Sequence, residues 1–257
     1  MIYMIYMILK VWSLFITLCY IIFKRGEPHL VYKIIVNLYR YNQLKNPYTN
    51  ELNNLLTVWH NYSTKYDINY SLAYGSLLGY YRNKNYIPYD HDVDLWVDKD
   101  DLDKIINMPE SFYTDEEHKD YNGYKLVIYK DHDSKMNNRK RWNRYGKLVK
   151  SQIDPYSFNG PIGRLVFNDN IYIDIFLFHK SSKNNVKKLV QDGWILGLYG
   201  DLGEYVSSKY ATNLPKTKIT KINNVTTRVI SNETTIREYL YNIYGPFFRY
   251  PNRPLLF

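Results

Sequence analysis

Cysteine occurs once in this chain of 257 residues, at Cys19, and alanine only at Ala73 and Ala211. A single thiol excludes an internal disulfide framework and any zinc site built from cysteines. No internal repeat and no long low-complexity run is present. Acidic residues are the minority charge, 25 against 34 Lys and Arg, which leaves a formal net charge of +9. Such a balance points to nucleic acid, an anionic membrane surface or phosphate-bearing substrates. The shortage of alanine supplies another cause. With 29 Tyr and abundant Asn, Lys and Ile, the composition is that of an AT-rich coding sequence, which accounts for most of the charge. Tyr-rich stretches are therefore not read as platforms for stacking bases, and no nucleic-acid partner is expected. Hydrophobic residues at 45% and charged residues at 23% exclude a disordered chain, a collagen or a polytopic membrane protein. The mass of 30.9 kDa accommodates one substantial domain, or one domain plus a tail.

Residues 1–23 are apolar apart from Lys10, and Lys24 and Arg25 follow at once. A membrane-spanning helix needs about 20 such residues. No small-residue cleavage site follows the run, so an uncleaved single-pass signal-anchor is expected. Lys24, Arg25, Lys33 and Arg40 place the bulk of the chain on the cytoplasmic face by the positive-inside rule. Sequons at Asn61, Asn69, Asn224 and Asn232 favour the lumenal, endomembrane or Golgi side instead, and the orientation stays open. Residues 24–50 read as a juxtamembrane linker and 51–257 as a catalytic domain.

Within that domain, Leu52, Leu55, Leu56, Trp59 and Tyr66 fall on one face of a helix over 51–66, with Thr49 or Asn50 as cap. Strands are expected at 68–74, 93–97 and 124–129. Residues 77–82 suggest a helical turn or two, and 100–108 a helix stopped by Pro109. Residues 164–167 and 171–178 form a hairpin around Asn168-Asp169-Asn170. Ser231 or Asn232 caps a last helix through Tyr244, closed by Gly245-Pro246. Strands alternating with helices imply an α/β or α+β domain with a largely buried sheet.

The chemistry concentrates at 75–95. Asp92 and Asp94 alternate at a strand start, so both carboxylates face one way while Leu95 and Val97 face the core. Like charges held together repel unless a cation sits between them. Hard oxygen ligands select Mg²⁺ or Mn²⁺, which then bridges substrate phosphates. Gly75-Ser76 at a tight turn brings backbone N–H groups to a phosphate. A lone Asp-x-Asp is a weak signal, and Asp100-Asp101 and Glu116-Glu117 read as solvated surface. A Gly-Ser turn followed by an Asp-x-Asp strand is stronger, and is the layout of nucleotidyltransferase-fold enzymes. Asp174, the lone acid of an apolar strand, is the candidate third carboxylate. A buried charge is costly without a job, and metal ligation is favoured over a structural salt bridge.

Together these segments resemble the LicD family, which includes fukutin and fukutin-related protein. The resemblance rests on Gly75 to Gly79, Arg82, Ile87 to Asp90, Asp92 and Asp94, Asp174 to Phe176, and Leu240, Tyr244-Gly245 and Pro251. It implies a nucleotidyltransferase-like mixed central sheet flanked by helices. It also implies transfer of a phospho-alcohol or phospho-sugar group from a CDP-linked donor to a glycan hydroxyl, with release of CMP. Carried onto this chain, Asp92, Asp94 and Asp174 hold the metal. Asp90 supports the cluster or acts as base, Gly75 and Ser76 line the phosphates, and Arg82 neutralises them. The cysteine-ligated zinc loop of the fukutin-related branch has no counterpart here, and His91 replaces an acid of many bacterial members. Two alternatives stay open: a nucleotidyltransferase acting on a small molecule or RNA, and a non-catalytic membrane scaffold. The basic stretch 139–144 fits an anionic acceptor, a membrane surface or a solvated loop equally. His179 reads as a strand-end surface residue, and 197–203 lacks the strand-before, helix-after context of a dinucleotide site.

Overall fold

The computed structural model describes residues 45–88, 90–113, 123–129, 132, 142–143, 157–158, 161–167, 171–178, 211–245 and 248–249. Helix α1 (Thr49–Lys65) follows the apolar spacing of its sequence and buries Leu52, Leu55, Leu56 and Trp59. Its cap is not Thr49 or Asn50. Asn46 accepts from the Tyr48 N–H at 2.8 Å and its carbonyl accepts from Thr49 Oγ1 at 2.6 Å, so the first turn is fixed from outside the helix. Strand β1 (Tyr70–Leu72) leads into α2 (Tyr74–Asn83), which then returns to β2 (Asp92–Val97). The predicted helix at 100–108 is a 3₁₀ turn (Lys99–Asp101) followed by α3 (Leu102–Ile106).

The remaining elements are β3 (Ser111–Tyr113), β4 (Lys125–Ile128), β5 (Trp142–Asn143), β6 (Ser157–Phe158), β7 (Gly163–Val166), β8 (Tyr172–Leu177), β9 (Thr217–Ile222), β10 (Val225–Ile230) and α4 (Glu233–Tyr244). Six strands form a mixed sheet in the order β1-β2-β8-β7-β4-β3. The pairs β2/β8 and β4/β3 are parallel and the others antiparallel, including the expected β7/β8 pair. Helix α1 lies against β2, β7, β8 and β10. Asn232 caps α4 as expected, its Oδ1 accepting from the Thr234 N–H at 2.8 Å.

Two features depart from the sequence expectations. The hairpin β9/β10 was not anticipated; it turns at Asn223 and Asn224, both with positive φ (43° and 70°), the conformation of a two-residue turn. Asp101 is not solvated surface: it is 7% exposed, accepts from the Asn69 N–H at 2.6 Å and pairs with Lys104 Nζ at 2.7 Å. Among the described residues no helix is long and apolar enough to cross a membrane. The expected anchor at 1–23 lies outside them.

Candidate active site

Strand β2 sorts its residues by parity. Asp92 and Asp94 project from one face, while Val93, Leu95 and Val97 project from the other and are fully buried. Trp96, next on the acid face, is walled in by Tyr74, Phe178 and Tyr239 at ring distances of 5.3, 5.5 and 4.1 Å. The acids thus sit at the N-terminal end of a face whose other end is closed by aromatic rings. Register brings in the third carboxylate: Asp94 pairs with Asp174 of β8, and Asp174 pairs with Arg164 of β7. One carboxylate oxygen from each of Asp92, Asp94 and Asp174 lies within 4.8 Å of the others. Among the described residues this is the one metal-competent group of three or more His, Cys, Asp or Glu side chains.

Arg164 went unrecognised in the sequence as a site residue. Its Nε donates to Asp174 Oδ1 and its Nη2 to Asp174 Oδ2 at 2.7 Å, and both side chains are buried. The Tyr172 ring lies 3.5 Å from the guanidinium carbon. The preference for metal ligation over a salt bridge at Asp174 is corrected to this extent: the salt bridge is there. A lone charge in an apolar strand needs compensation, and it comes from a neighbouring strand that sequence spacing does not identify. Each Asp174 oxygen has a second lone pair with which to meet another ligand.

Gly75 and Ser76 lie in the first turn of α2 rather than in a tight turn. The Ala73 N–H donates to the Asp94 carbonyl at 2.9 Å, and the Asp94 N–H donates to Ser76 Oγ at 2.9 Å. Ser76 therefore fastens α2 to β2. A Cβ on Gly75 would stand 3.1 Å from Asp90 Oδ2 and 3.6 Å from Asp94 Oδ2, so the helix comes this near the acids because that side chain is missing. Asp90 is held by its backbone, its carbonyl accepting from Asn46 Nδ2 at 2.7 Å. Arg82 lies two turns beyond Gly75, about 10 Å along the axis of α2. Its Nε donates to the Phe248 carbonyl at 2.8 Å. His91 is exposed, with Nε2 3.5 Å from the Tyr172 hydroxyl.

Charge is the dominant fact of this site. Burial first, then the Asp174 carboxylate, pushes Asp92 above the usual carboxylate range. Burial, then Asp92, Asp174 and Asp90, pushes Asp94 well above it. One guanidinium against three carboxylates leaves two charges uncompensated. An all-oxygen donor set with that deficit fits a divalent cation such as Mg²⁺ or Mn²⁺. Tyr244 lies at the end of α4. Burial and the charges of Asp94 and Asp90 push its hydroxyl upward, while Arg82 opposes them. The segment Tyr244-Gly245 was visible in the sequence, but no role for the phenol was. His179, 197–203 and the side chains of 139–144 lie outside the described residues.

Residues 67–223 match the family described as LicD/FKTN/FKRP, nucleotidyltransferase domain. A stretch of 69 residues is 33% identical to a Haemophilus influenzae protein named lipopolysaccharide cholinephosphotransferase LicD, covering 27% of this chain and 24% of that relative. The chain thus spans about a quarter of the length of the relative it matches. The family match runs from before β1 through the acid row and the Arg164–Asp174 pair to the turn of the β9/β10 hairpin, more than half of the sequence. On that match, this chain belongs to the LicD family.

Proposed function

We propose that the chain transfers a phospho-alcohol or phospho-sugar group from a CDP-linked donor to a glycan hydroxyl, releasing CMP. Support comes from family membership and from a relative named a cholinephosphotransferase. The observation that carries the proposal is the convergence of Asp92, Asp94 and Asp174 on one face of the sheet. These three would hold Mg²⁺ or Mn²⁺. When bound, the ion would neutralise the donor diphosphate and the charge that builds on the leaving nucleotide. The remaining work is positioning by the chain's own groups. Arg164 holds the Asp174 carboxylate in a fixed orientation through its paired contact. The bare backbone at Gly75 leaves room for phosphate oxygens beside Asp90 and Asp94, Ser76 holds that backbone in place, and Arg82 adds positive charge on the same helix. Asp90 accepts the proton of the attacking hydroxyl. Residues 1–23 would hold the enzyme at a membrane.

The test is nucleotide release. The full chain is incubated with Mn²⁺ or Mg²⁺ and a panel of CDP-, UDP- and GDP-linked alcohols and sugars. We expect metal-dependent CMP release from a CDP donor, reduced at least about a hundredfold in Asp92→Asn and Asp94→Asn. No release from any donor, with no metal-dependent thermal shift, would replace the enzyme with a non-catalytic scaffold. The family's description as a nucleotidyltransferase domain favours one second reading, transfer of a nucleotide to a small molecule or RNA. Incorporation of label from a nucleoside triphosphate would identify it.

A further inference from the structure

A cavity of about 340 Å³ is lined by residues of α2, β9 and α4 and by Arg249. No carboxylate of the acid row lines it. Its charge is of the opposite sign: Arg82, Lys84, Lys218 and Arg249 meet there, with Glu233 as the acid among the described lining residues. Three of these cations have contacts that hold them in place. Arg82 Nε donates to the Phe248 carbonyl, Lys84 Nζ lies 3.6 Å over the Tyr80 ring, and Arg249 Nη2 donates to the Tyr81 hydroxyl at 3.3 Å. Among the described residues, Lys84, Lys218 and Arg249 form no ion pair with a carboxylate.

Lys84, Lys218 and Arg249, brought together from separate parts of the chain, repel one another, and a bound anion relieves that repulsion. Arg and Lys side chains oriented in advance are the usual means of holding a phosphate. The rings of Tyr80 and Tyr81 add apolar surface of the kind that lies against a sugar ring. A volume of this size suits a phosphorylated monosaccharide rather than a bare ion.

We infer that this cavity binds a phosphate-bearing sugar, and that this sugar belongs to the acceptor. The assignment to the acceptor rests on the function proposed above; the anion site does not. In that function the donor diphosphate belongs at the acid row. Arg82 lies about 10 Å along α2 from Gly75, and a nucleoside carries no charge to match the surplus of cations there. Helix α2 carries Gly75 against Asp90 and Asp94 and, two turns on, Arg82 in the cavity wall, so cavity and acid row are neighbours that one acceptor can span.

The experiment is calorimetric titration of the full chain with glucose 6-phosphate and with glucose, at low salt and without metal. CMP with Mn²⁺ is titrated separately. Wild type is compared with the triple variant Lys84→Gln, Lys218→Gln, Arg249→Gln, and thermal melts verify that the variant is folded. The sugar phosphate should bind, more weakly as salt rises, and glucose should not. The triple variant should lose at least about tenfold in affinity for the sugar phosphate while CMP–Mn²⁺ binding stays unchanged. Glucose binding as tightly as its phosphate, no sugar-phosphate binding, or equal binding by the folded variant would overturn the site. Loss of CMP–Mn²⁺ binding in parallel would assign the cavity to the donor and overturn the acceptor assignment. Sugar-phosphate binding with no metal-dependent transfer from any donor would leave the anion site standing and remove the enzymatic function.

Discussion

Asp94 keeps its carboxylate beside Asp90, Asp92 and Asp174, and all three raise its proton affinity along with burial. A group whose pKa is raised on folding stabilises the fold while protonated, and that stability is lost as pH rises through the raised value. For Asp92 the raised value is about 6, so the loss begins near the ordinary carboxylate range of about 4 and extends to that point. The metal-free protein should therefore lose thermal stability across that window and regain it at pH 7 on addition of Mn²⁺. Asp94→Asn removes one of the repelling charges. It should melt higher than wild type at pH 7 without metal, and Mn²⁺ should barely shift it. A variant that melts lower than wild type there would count against this electrostatic account. Arg164→Met makes the opposite change. It strands Asp174 without its buried partner, which should cost about 3–5 kcal/mol in chemical denaturation, with part recovered when Mn²⁺ takes over the charge. Asp92, Asp94 and Asp174 were legible as candidate site residues because an acid in a β-alternating, otherwise apolar run breaks the pattern. Arg164 was not, because a single Arg in a strand is ordinary until its register partner is known.

Helix α2 is short, yet it links the two charged regions, with Gly75 against the acids and Arg82 in the cationic cavity. Its fit depends on Gly79, where a Cβ would stand 2.5 Å from the Asn85 carbonyl and 3.2 Å from the Ile87 nitrogen. Both are backbone atoms of the segment returning to β2 and cannot rotate away. Gly79→Ala should cost roughly 1–3 kcal/mol or more despite the better helix propensity of alanine, measured as a lower midpoint in urea. The β9/β10 turn offers the reverse case. Asn224 holds φ at 70°, where glycine is unstrained. Asn224→Gly should therefore raise stability by a few tenths to about 1 kcal/mol; a fall would mean that the Asn side chain contributes more than its backbone strain costs. Helices α1 and α4 were legible because apolar spacing and, for α4, a capping Asn mark them independently of the rest of the fold. The β9/β10 hairpin was missed because Asn-Asn lacks the glycine that usually announces such a turn, and the exposed face of β9 carries no strong apolar alternation.

In the molecule as a whole, distant segments hold the site. Asn46 precedes α1, yet its Nδ2 donates to the Ile87 and Asp90 carbonyls, both at 2.7 Å, closing a span of more than 40 residues around the candidate base. Asn46→Ala should leave the core and its melting temperature within a few degrees of wild type. It should also raise hydrogen exchange at 85–91 and lower turnover more than donor affinity. Unchanged exchange there would show that the Asp90 loop stands without it. The same long-range logic covers Ser71, whose hydroxyl accepts from the Ile230 N–H at 3.1 Å and ties the sheet to the β9/β10 hairpin.

The α/β class, the faces of β2, the β7/β8 hairpin and the acids that break their apolar surroundings are all written in local pattern, because alternation and helical spacing are properties of neighbouring residues. Only in the folded chain do β2 and β8 run parallel with Asp94 beside Asp174, does Arg164 rather than solvent meet Asp174, and does Arg82 join three other cations in a separate cavity. Those outcomes depend on strand order, on register and on contacts between segments far apart in the chain. No local pattern of residues encodes which strand will lie beside which, and a one-residue slip would have turned Asp174 away from Asp92 and Asp94 to the opposite face.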